Sequence, residues 1–155
     1  MEKKNTISIV IVSSDIHANI YKAYTDKEDA LDAAANIFGN DEGEARNNLA
    51  KYGFHYNGRS TACEIATLEY NGKQGRSVHL IATLNSKGTT YKAFASKQEA
   101  YDSVFKAMAE IKGDCELGEH KDIATKRLDE GKEVEYGYLE GDTHCFTYIK
   151  AEIIR

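Results

Sequence analysis

The chain has 155 residues and a formal net charge of −5. Its 41% hydrophobic and 29% charged residues are typical of a folded globular chain, and no apolar run approaches the roughly 18 residues that a membrane span needs. Lys and Arg form no cluster, so nucleic acid and membranes are disfavoured as partners, and the length suits one domain or two very small ones.

The first predicted element is a strand. The segment MEKKNTISIVIVSSD has a charged tip and a short apolar stretch that ends at Asp15 without a small-residue cleavage pattern, which favours a strand over a signal peptide. The cysteines, Cys63, Cys115 and Cys145, are odd in number and sparse, so they make a poor disulfide framework. Reduced thiols predict a cytoplasmic location.

An internal repeat organises the rest of the chain. YKAYTDKEDALDAA (21–34) resembles YKAFASKQEAYDSV (91–104) at an offset of 70, and ISIVIVSSD (7–15) falls on SVHLIATLN (77–85) at the same offset without a gap. This pattern predicts an internal duplication.

Each repeat begins with a hairpin followed by a helix. In the second repeat the turn NSKG separates two strands, and Ser96 with Glu99 forms a capping box at the start of a helix. In the first repeat Asp26 occupies the Ser96 position, and Thr25 with Glu28 offers an alternative box.

A second helix and another hairpin complete each repeat. DEGEARNNLAKYG ends at Gly53 and EHKDIATKRLDEG ends at Gly131, which are typical helix stops. The fold class is therefore predicted as α+β, with a β-β-α-α-β-β unit in residues 1–74 and again in 75–155. The sequence also predicts an antiparallel sheet with helices on one face. The two repeats are expected to form one compact pseudo-twofold unit without a flexible linker.

The final hairpin suggests a candidate surface. A two-residue loop at Gly141-Asp142 would place Val134 opposite Ile149, with Cys145 on the core face. The other face would collect an apolar and aromatic patch: Leu139, His144, Phe146 and Tyr148. Such a patch marks a surface for a protein partner, with a homodimer as one possibility, when it is exposed. Burial by the other repeat or by a second subunit is the favoured alternative.

One motif points to catalysis. SSDIHAN (13–19), after the strand ISIVIV, resembles the first motif of the calcineurin-like metallophosphoesterases, a strand that ends in Asp-x-His-Gly. The resemblance implies that Asp15 and His17 would hold a dinuclear metal centre that activates water for phosphoester cleavage.

The chain departs from the rest of that family's pattern. Ala18 replaces the motif's glycine, and Asp41 and Asp142 stand where the later motifs have His. The repeat offers another interpretation, since Asp15 and His17 align with Asn85 and Lys87 of the NSKG turn. The turn is the favoured interpretation, and no metal is expected.

Other catalytic or cofactor motifs are incomplete. Cys115 and His120 alone are too few for a zinc site, and Cys63 and Cys145 suit small core positions. No cofactor is expected. The leading hypothesis is a small acidic, non-enzymatic binding or protein-interaction module, of the kind found among accessory or inhibitor proteins of phages and mobile elements. The alternative is a divergent metal-dependent phosphoesterase.

Overall fold

Two compact units make up the fold. The computed structural model describes residues 6–14, 19–58, 60–70, 76–112, 117–137 and 143–154. Unit 1 comprises Met1–Asn71, Gly75–Ser77 and Ala151–Arg155, and unit 2 comprises Gly72–Gln74 and Val78–Lys150. The predicted repeat boundary between residues 74 and 75 lies outside the described residues.

Unit 1 contains two strands, two α-helices and two further strands in that order. They are β1 (Thr6–Ser14), β2 (Ile20–Tyr24), α1 (Lys27–Asn36), α2 (Glu42–Tyr52), β3 (Phe54–Tyr56) and β4 (Thr61–Glu69), with a 3-10 turn, Gly39–Asp41, between the helices. The strand order is β3-β4-β1-β2, and each of these neighbours is antiparallel.

Unit 2 repeats this order of element types. It contains β5 (Ser77–Asn85), β6 (Gly88–Phe94), α3 (Lys97–Lys112), α4 (Leu117–Asp129), β7 (Val134–Gly137) and most of β8 (Thr143–Ile154). The strand order is β7-β8-β5-β6. The chain is therefore α+β, as the sequence predicts, and has four α-helices among its described residues. None of the helices in those ranges is long and apolar enough to cross a membrane.

The prediction of a purely antiparallel sheet is wrong. The last residues of β8 belong to unit 1, where Ala23 pairs with Ile153 and Tyr24 with Ile154 in parallel. The sheet is mixed for this reason. The hydrophobic pattern of a strand sets which face is buried, but it carries no information about the direction of a neighbouring strand.

The helices α1 and α3 begin directly after the predicted capping residues Asp26 and Ser96. The Asp26 carboxylate accepts hydrogen bonds from the backbone N–H of Glu28 at 2.7 Å and of Asp29 at 3.3 Å, and the Ser96 hydroxyl accepts from the N–H of Glu99 at 3.2 Å. These bonds satisfy donors that lack a partner within the helix. The Asp26 and Ser96 caps are confirmed, and the alternative Thr25 box is not the cap that forms.

Each unit has its own apolar core beneath two helices. In unit 1, α1 and α2 pack on the sheet face that carries Val10, Cys63 and Ile65. In unit 2, the residues of α3 and α4 pack with a set of strand residues: Ile81, Val134 and Phe146. Leu49 and Leu128, near the ends of α2 and α4, are 2% and 1% exposed.

The gapless 70-residue alignment is wrong in the first strand. Val10 lies opposite Lys22, whereas the partner of Lys92 is Ile81. The corresponding residues of β1 and β5 are thus 71 positions apart, although β2 and β6 keep an offset of 70. The two hairpin connections differ in length, since the last pairs are Val12 with Ile20 and Asn85 with Gly88. A change in loop length shifts the register between two strands.

The predicted register of the final hairpin is also wrong. Val134 lies opposite Phe146, not Ile149, and Gly137 lies opposite Thr143. Gly141 and Asp142 lie outside the described residues. The shift is an odd number of residues, so it moves each β8 side chain to the opposite face. Phe146 is consequently a core residue, and Cys145 is only half-buried.

Candidate functional site

The two residues of the phosphoesterase resemblance lie outside the described part of the chain. Asp15 and His17 fall between Ser14, where β1 ends, and Asn19. Among the residues that the structure does describe, no three or more His, Cys, Asp or Glu side chains are grouped so as to hold a metal ion. The metal hypothesis for Asp15 and His17, and the turn hypothesis that competes with it, stay predictions.

One member of the predicted patch on the final hairpin is buried and two are half-buried. Phe146 is 4% exposed and belongs to the core of unit 2. His144 is half-buried and stacks on Phe146 with ring centroids 6.4 Å apart, and Tyr148 packs against the same core. Leu139 lies outside the described residues. The register shift in β8 explains the change, because it turns Phe146 and Tyr148 towards the helices.

Tyr148 belongs to a polar cluster in unit 2. Its hydroxyl lies 2.6 Å from Nδ1 of His79, and its ring meets that of Tyr101 edge-on at 5.1 Å. Burial, followed by the positive charges of Lys150 and Lys97, lowers the pKa of His79 below its ordinary value. The imidazole is therefore held in its neutral form at neutral pH.

Tyr101 connects this cluster to the ends of two helices. Its hydroxyl donates to the Asp129 carboxylate at 2.6 Å, and Lys97 forms an ion pair with the same carboxylate at 2.9 Å. Burial and the bond to Asp129 raise the pKa of Tyr101, so the phenol stays protonated. Lys97 begins α3 and Asp129 ends α4, so the cluster fastens these helix ends together. Every group in it has a partner, which suits a structural role better than catalysis.

The described cysteines are not activated nucleophiles. Burial raises the pKa of Cys63 to about 12, and burial together with Glu133 and Glu135 raises the pKa of Cys145. A thiol reacts as its thiolate, so both side chains are held in the unreactive form at neutral pH. Cys63 is 1% exposed, which confirms its predicted core position. Cys115 lies outside the described residues, and the side chain of His120 is not described.

Among the side chains that the structure describes, the most exposed aromatic ones lie at the edge of unit 1. Tyr52, Phe54 and Tyr56 are 69%, 50% and 52% exposed, and we call them the aromatic edge surface. Among the described strands β3 pairs with β4 alone, so this surface stands at one side of the unit 1 sheet. Large exposed aromatic groups in a cluster mark interaction sites in soluble proteins.

A glycine turn joins the three aromatic residues. α2 ends at Tyr52, and Gly53 adopts a left-handed conformation with φ 74°, while its N–H donates to the Leu49 carbonyl at 2.9 Å. A Cβ atom at Gly53 would lie 3.3 Å from the Ile65 carbonyl oxygen. Glycine is the residue that fits both the positive φ and the close backbone approach.

A buried histidine turns Phe54 and Tyr56 outwards. His55 is 7% exposed, and the Asn48 amide donates to its Nδ1 at 3.0 Å. Phe38 meets the imidazole ring edge-on at 4.5 Å. Neighbouring residues on a strand face opposite sides, so an inward His55 places Phe54 and Tyr56 on the outer side.

Sequence reasoning missed this surface for a physical reason. In the tripeptide FHY the hydrophobic pattern predicts inward Phe54 and Tyr56 and an outward His55. The structure has the opposite arrangement because His55 has buried partners outside the tripeptide, the amide of Asn48 and the ring of Phe38. The sequence feature that could have indicated this surface is the group of three aromatic residues around Gly53.

Comparison of the chain with protein-family models, with curated proteins and with solved structures found no match. The function is therefore inferred from the physical features of the surface itself.

Proposed function

We propose that the protein is a non-enzymatic protein-interaction module, and that the aromatic edge surface of Tyr52, Phe54 and Tyr56 binds its partner. The observation that carries the proposal is the exposure of three aromatic side chains close together in the sequence, Tyr52 at the end of α2 and Phe54 and Tyr56 on the strand β3. Each leaves half or more of its surface in water, where burial against a partner would stabilise a complex by about 25 cal/mol per Å² of apolar area. Tyr and Phe are enriched in interfaces.

Unit 2 offers an internal comparison for this surface. Gly131 has φ 71° after α4, as Gly53 has φ 74° after α2, and Val134 is the buried residue of β7, as His55 is of β3. By this correspondence the counterparts of the three aromatic residues are glutamates, all of them exposed: Glu130, Glu133 and Glu135. The scaffold therefore accepts charged residues at these positions. We take the aromatic set in unit 1 as a specialisation for binding.

We also propose that the two units arose by internal duplication, with repeats at 1–74 and 75–155. Three observations support it: the shared order of element types, the shared order of strands, and the equivalent caps at Asp26 and Ser96. The one-residue shift between β1 and β5 requires a change in loop length after the duplication. Cys63 and Cys145 do not hold equivalent positions in this comparison: Cys63 pairs with His55 of β3, whereas Phe146 of β8 pairs with Val134 of β7.

A glutamate exchange tests the interaction surface. We expect the tagged wild-type chain to capture a specific protein from its source cells, and the variant Tyr52→Glu/Phe54→Glu/Tyr56→Glu to lose that protein. The control Leu84→Glu/Ile123→Glu changes residues that are 45% and 58% exposed in unit 2 and should retain it. Binding must then be reproduced with the two purified proteins. Equal capture by both variants would refute the proposed surface.

The same variants separate a different partner from a second copy of the chain. A homodimer through the aromatic edge surface would show twice the monomer mass by light scattering, and the glutamate variant would shift it to the monomer mass. We propose a different protein as the partner, in the cytoplasm, where the thiols of Cys63 and Cys145 stay reduced.

The phosphoesterase remains the second candidate on the strength of its sequence resemblance. It predicts hydrolysis of a chromogenic phosphodiester with Mn²⁺ that is lost in both Asp15→Ala and His17→Ala. A purified protein without activity, and with the same melting temperature in chelator, would eliminate this candidate.

A further inference from the structure

An apolar groove lies in unit 1 beside the end of α1. Its volume is about 430 Å³, within the range of small-molecule sites. Its apolar lining comes from both strands of the first hairpin and from the last turn of the helix: Val10, Val12, Ile20, Ala33 and Ile37. Ile20 and Ile37 are 49% and 46% exposed, so a bound apolar group would remove aliphatic surface from water.

The early end of α1 leaves this groove open. α1 has 10 residues and ends at Asn36, whereas α3 has 16. After Ile37 the chain turns through Gly39, which has φ 56°, into the 3-10 turn that leads to α2. No further helical turn of α1 covers the sheet residues Val12 and Ile20. Val12 is half-buried and Ile20 is exposed.

The groove contains one cationic side chain. Lys22 lies opposite Val10 across the β1–β2 pair, so its side chain rises from the groove face of the sheet. Within the described ranges Lys22 has no ion pair, and Asn36 adds an amide to the same lining. Tyr24 also lines the groove, and burial followed by the negative charge of Asp29 raises its pKa.

We propose that this groove binds a free medium-chain aliphatic carboxylate. The carboxylate pairs with the Lys22 ammonium and accepts a hydrogen bond from the Asn36 amide, and the hydrocarbon chain lies along Val12, Ile20 and Ile37. One cation within an apolar cleft matches a ligand with one anionic end and an apolar body. The site is separate from the aromatic edge surface and does not depend on the proposed protein partner.

Titration of the full-length chain with sodium octanoate tests the site. We expect saturable shifts of the backbone amide signals of Val12, Ile20, Lys22 and Ile37 in two-dimensional NMR spectra. Lys22→Gln should weaken octanoate binding about tenfold, as expected for the loss of a charge-assisted hydrogen bond. The matched control is Lys92→Gln, since Lys92 is exposed and holds the corresponding place in β6, and it should bind as the wild type does.

Two further probes isolate the charge. Octan-1-ol should bind more weakly than octanoate and be indifferent to Lys22→Gln, and octylamine should bind weakest of the three. Absence of saturable octanoate binding, equal effects of Lys22→Gln and Lys92→Gln, or octylamine binding as tight as octanoate would each overturn the proposal. The variant with glutamates at the aromatic edge surface should still bind octanoate, so the two proposals can fail independently.

Discussion

His55 fixes the direction of the aromatic residues on either side of it. Nδ1 of the imidazole accepts a hydrogen bond from the Asn48 amide, so this nitrogen is satisfied in the buried position, and the ring contacts Phe38. A buried polar group is tolerated when it is hydrogen-bonded, and this one side chain therefore reverses the expected faces of β3. Phe54 and Tyr56 are exposed as a consequence, which no hydropathy pattern within the tripeptide predicts.

Gly53 and Gly131 have similar backbone angles but different surroundings, so they allow the effect of an added Cβ atom to be compared. Both have positive φ, which costs a residue with a side chain about 1–2 kcal/mol. A Cβ at Gly53 would also lie 3.3 Å from the Ile65 carbonyl oxygen, whereas a Cβ at Gly131 would meet nothing within 4 Å. We expect Gly53→Ala to lower the free energy of unfolding more than Gly131→Ala does, as measured by urea denaturation. Equal losses would show that the close approach to Ile65 has no energetic effect.

Because the Cys63 thiol is buried, we expect the free energy of unfolding to change with pH in the alkaline range. Burial raises its pKa from the ordinary 9.0 to about 12, so between these values the unfolded chain loses the thiol proton while the folded chain keeps it. The free energy of unfolding should therefore fall as the pH rises above 9. We expect Cys63→Ala to flatten this decline in urea titrations at pH 8 to 10, and Cys145→Ala to flatten it less. An unchanged slope in Cys63→Ala would contradict the assignment.

Local elements of this fold are readable from the sequence. The NSKG turn forms as predicted, with Asn85 opposite Gly88 and the Asn85 side chain accepting from the Lys87 N–H at 2.9 Å. The helix ends at Gly53 and Gly131 are likewise set by short-range chemistry. These features depend on residues within a few positions of one another, which is why sequence patterns predict them.

The two N-caps should contribute comparable amounts to stability. The Asp26 carboxylate caps α1 and the Ser96 hydroxyl caps α3, and loss of such a cap costs about 1 kcal/mol. We expect Asp26→Ala and Ser96→Ala each to lower the free energy of unfolding by about that amount in urea denaturation. The control Lys27→Ala, one residue beyond the cap, should change it little. A loss in Lys27→Ala as large as in Asp26→Ala would argue against the caps as the cause.

Features set by distant residues could not be predicted. The hydrophobic pattern of β7 and β8 does not set their register, in which Val134 lies opposite Phe146. The parallel pairing of Ala23 with Ile153 joins residues far apart in the chain. A sequence pattern specifies faces, and a one-residue error in register exchanges them. The predicted face of Phe146 and Tyr148 is wrong for this reason, since Phe146 lies in the core of unit 2 and Tyr148 packs against it.

At the scale of the whole molecule, two units with the same order of elements differ at their surfaces. Unit 1 has an aromatic edge and a groove beside a short α1, and unit 2 has glutamates at the corresponding edge and a longer α3. The proposed duplication with later divergence would account for this difference, because one copy can maintain the scaffold while the other acquires a binding surface. Both proposed binding sites consequently lie in unit 1.

Site-specific cross-linking tests the central claim most directly. A photoreactive phenylalanine analogue replaces Phe54 in one variant and its unit 2 counterpart Glu133 in another, and both are irradiated in the source cells. We expect a covalent adduct of one defined mass at position 54, formed with a single protein, and no such adduct at position 133. The absence of any adduct at position 54, or the same adducts at both positions, would contradict the claim that the aromatic edge surface of unit 1 binds a protein.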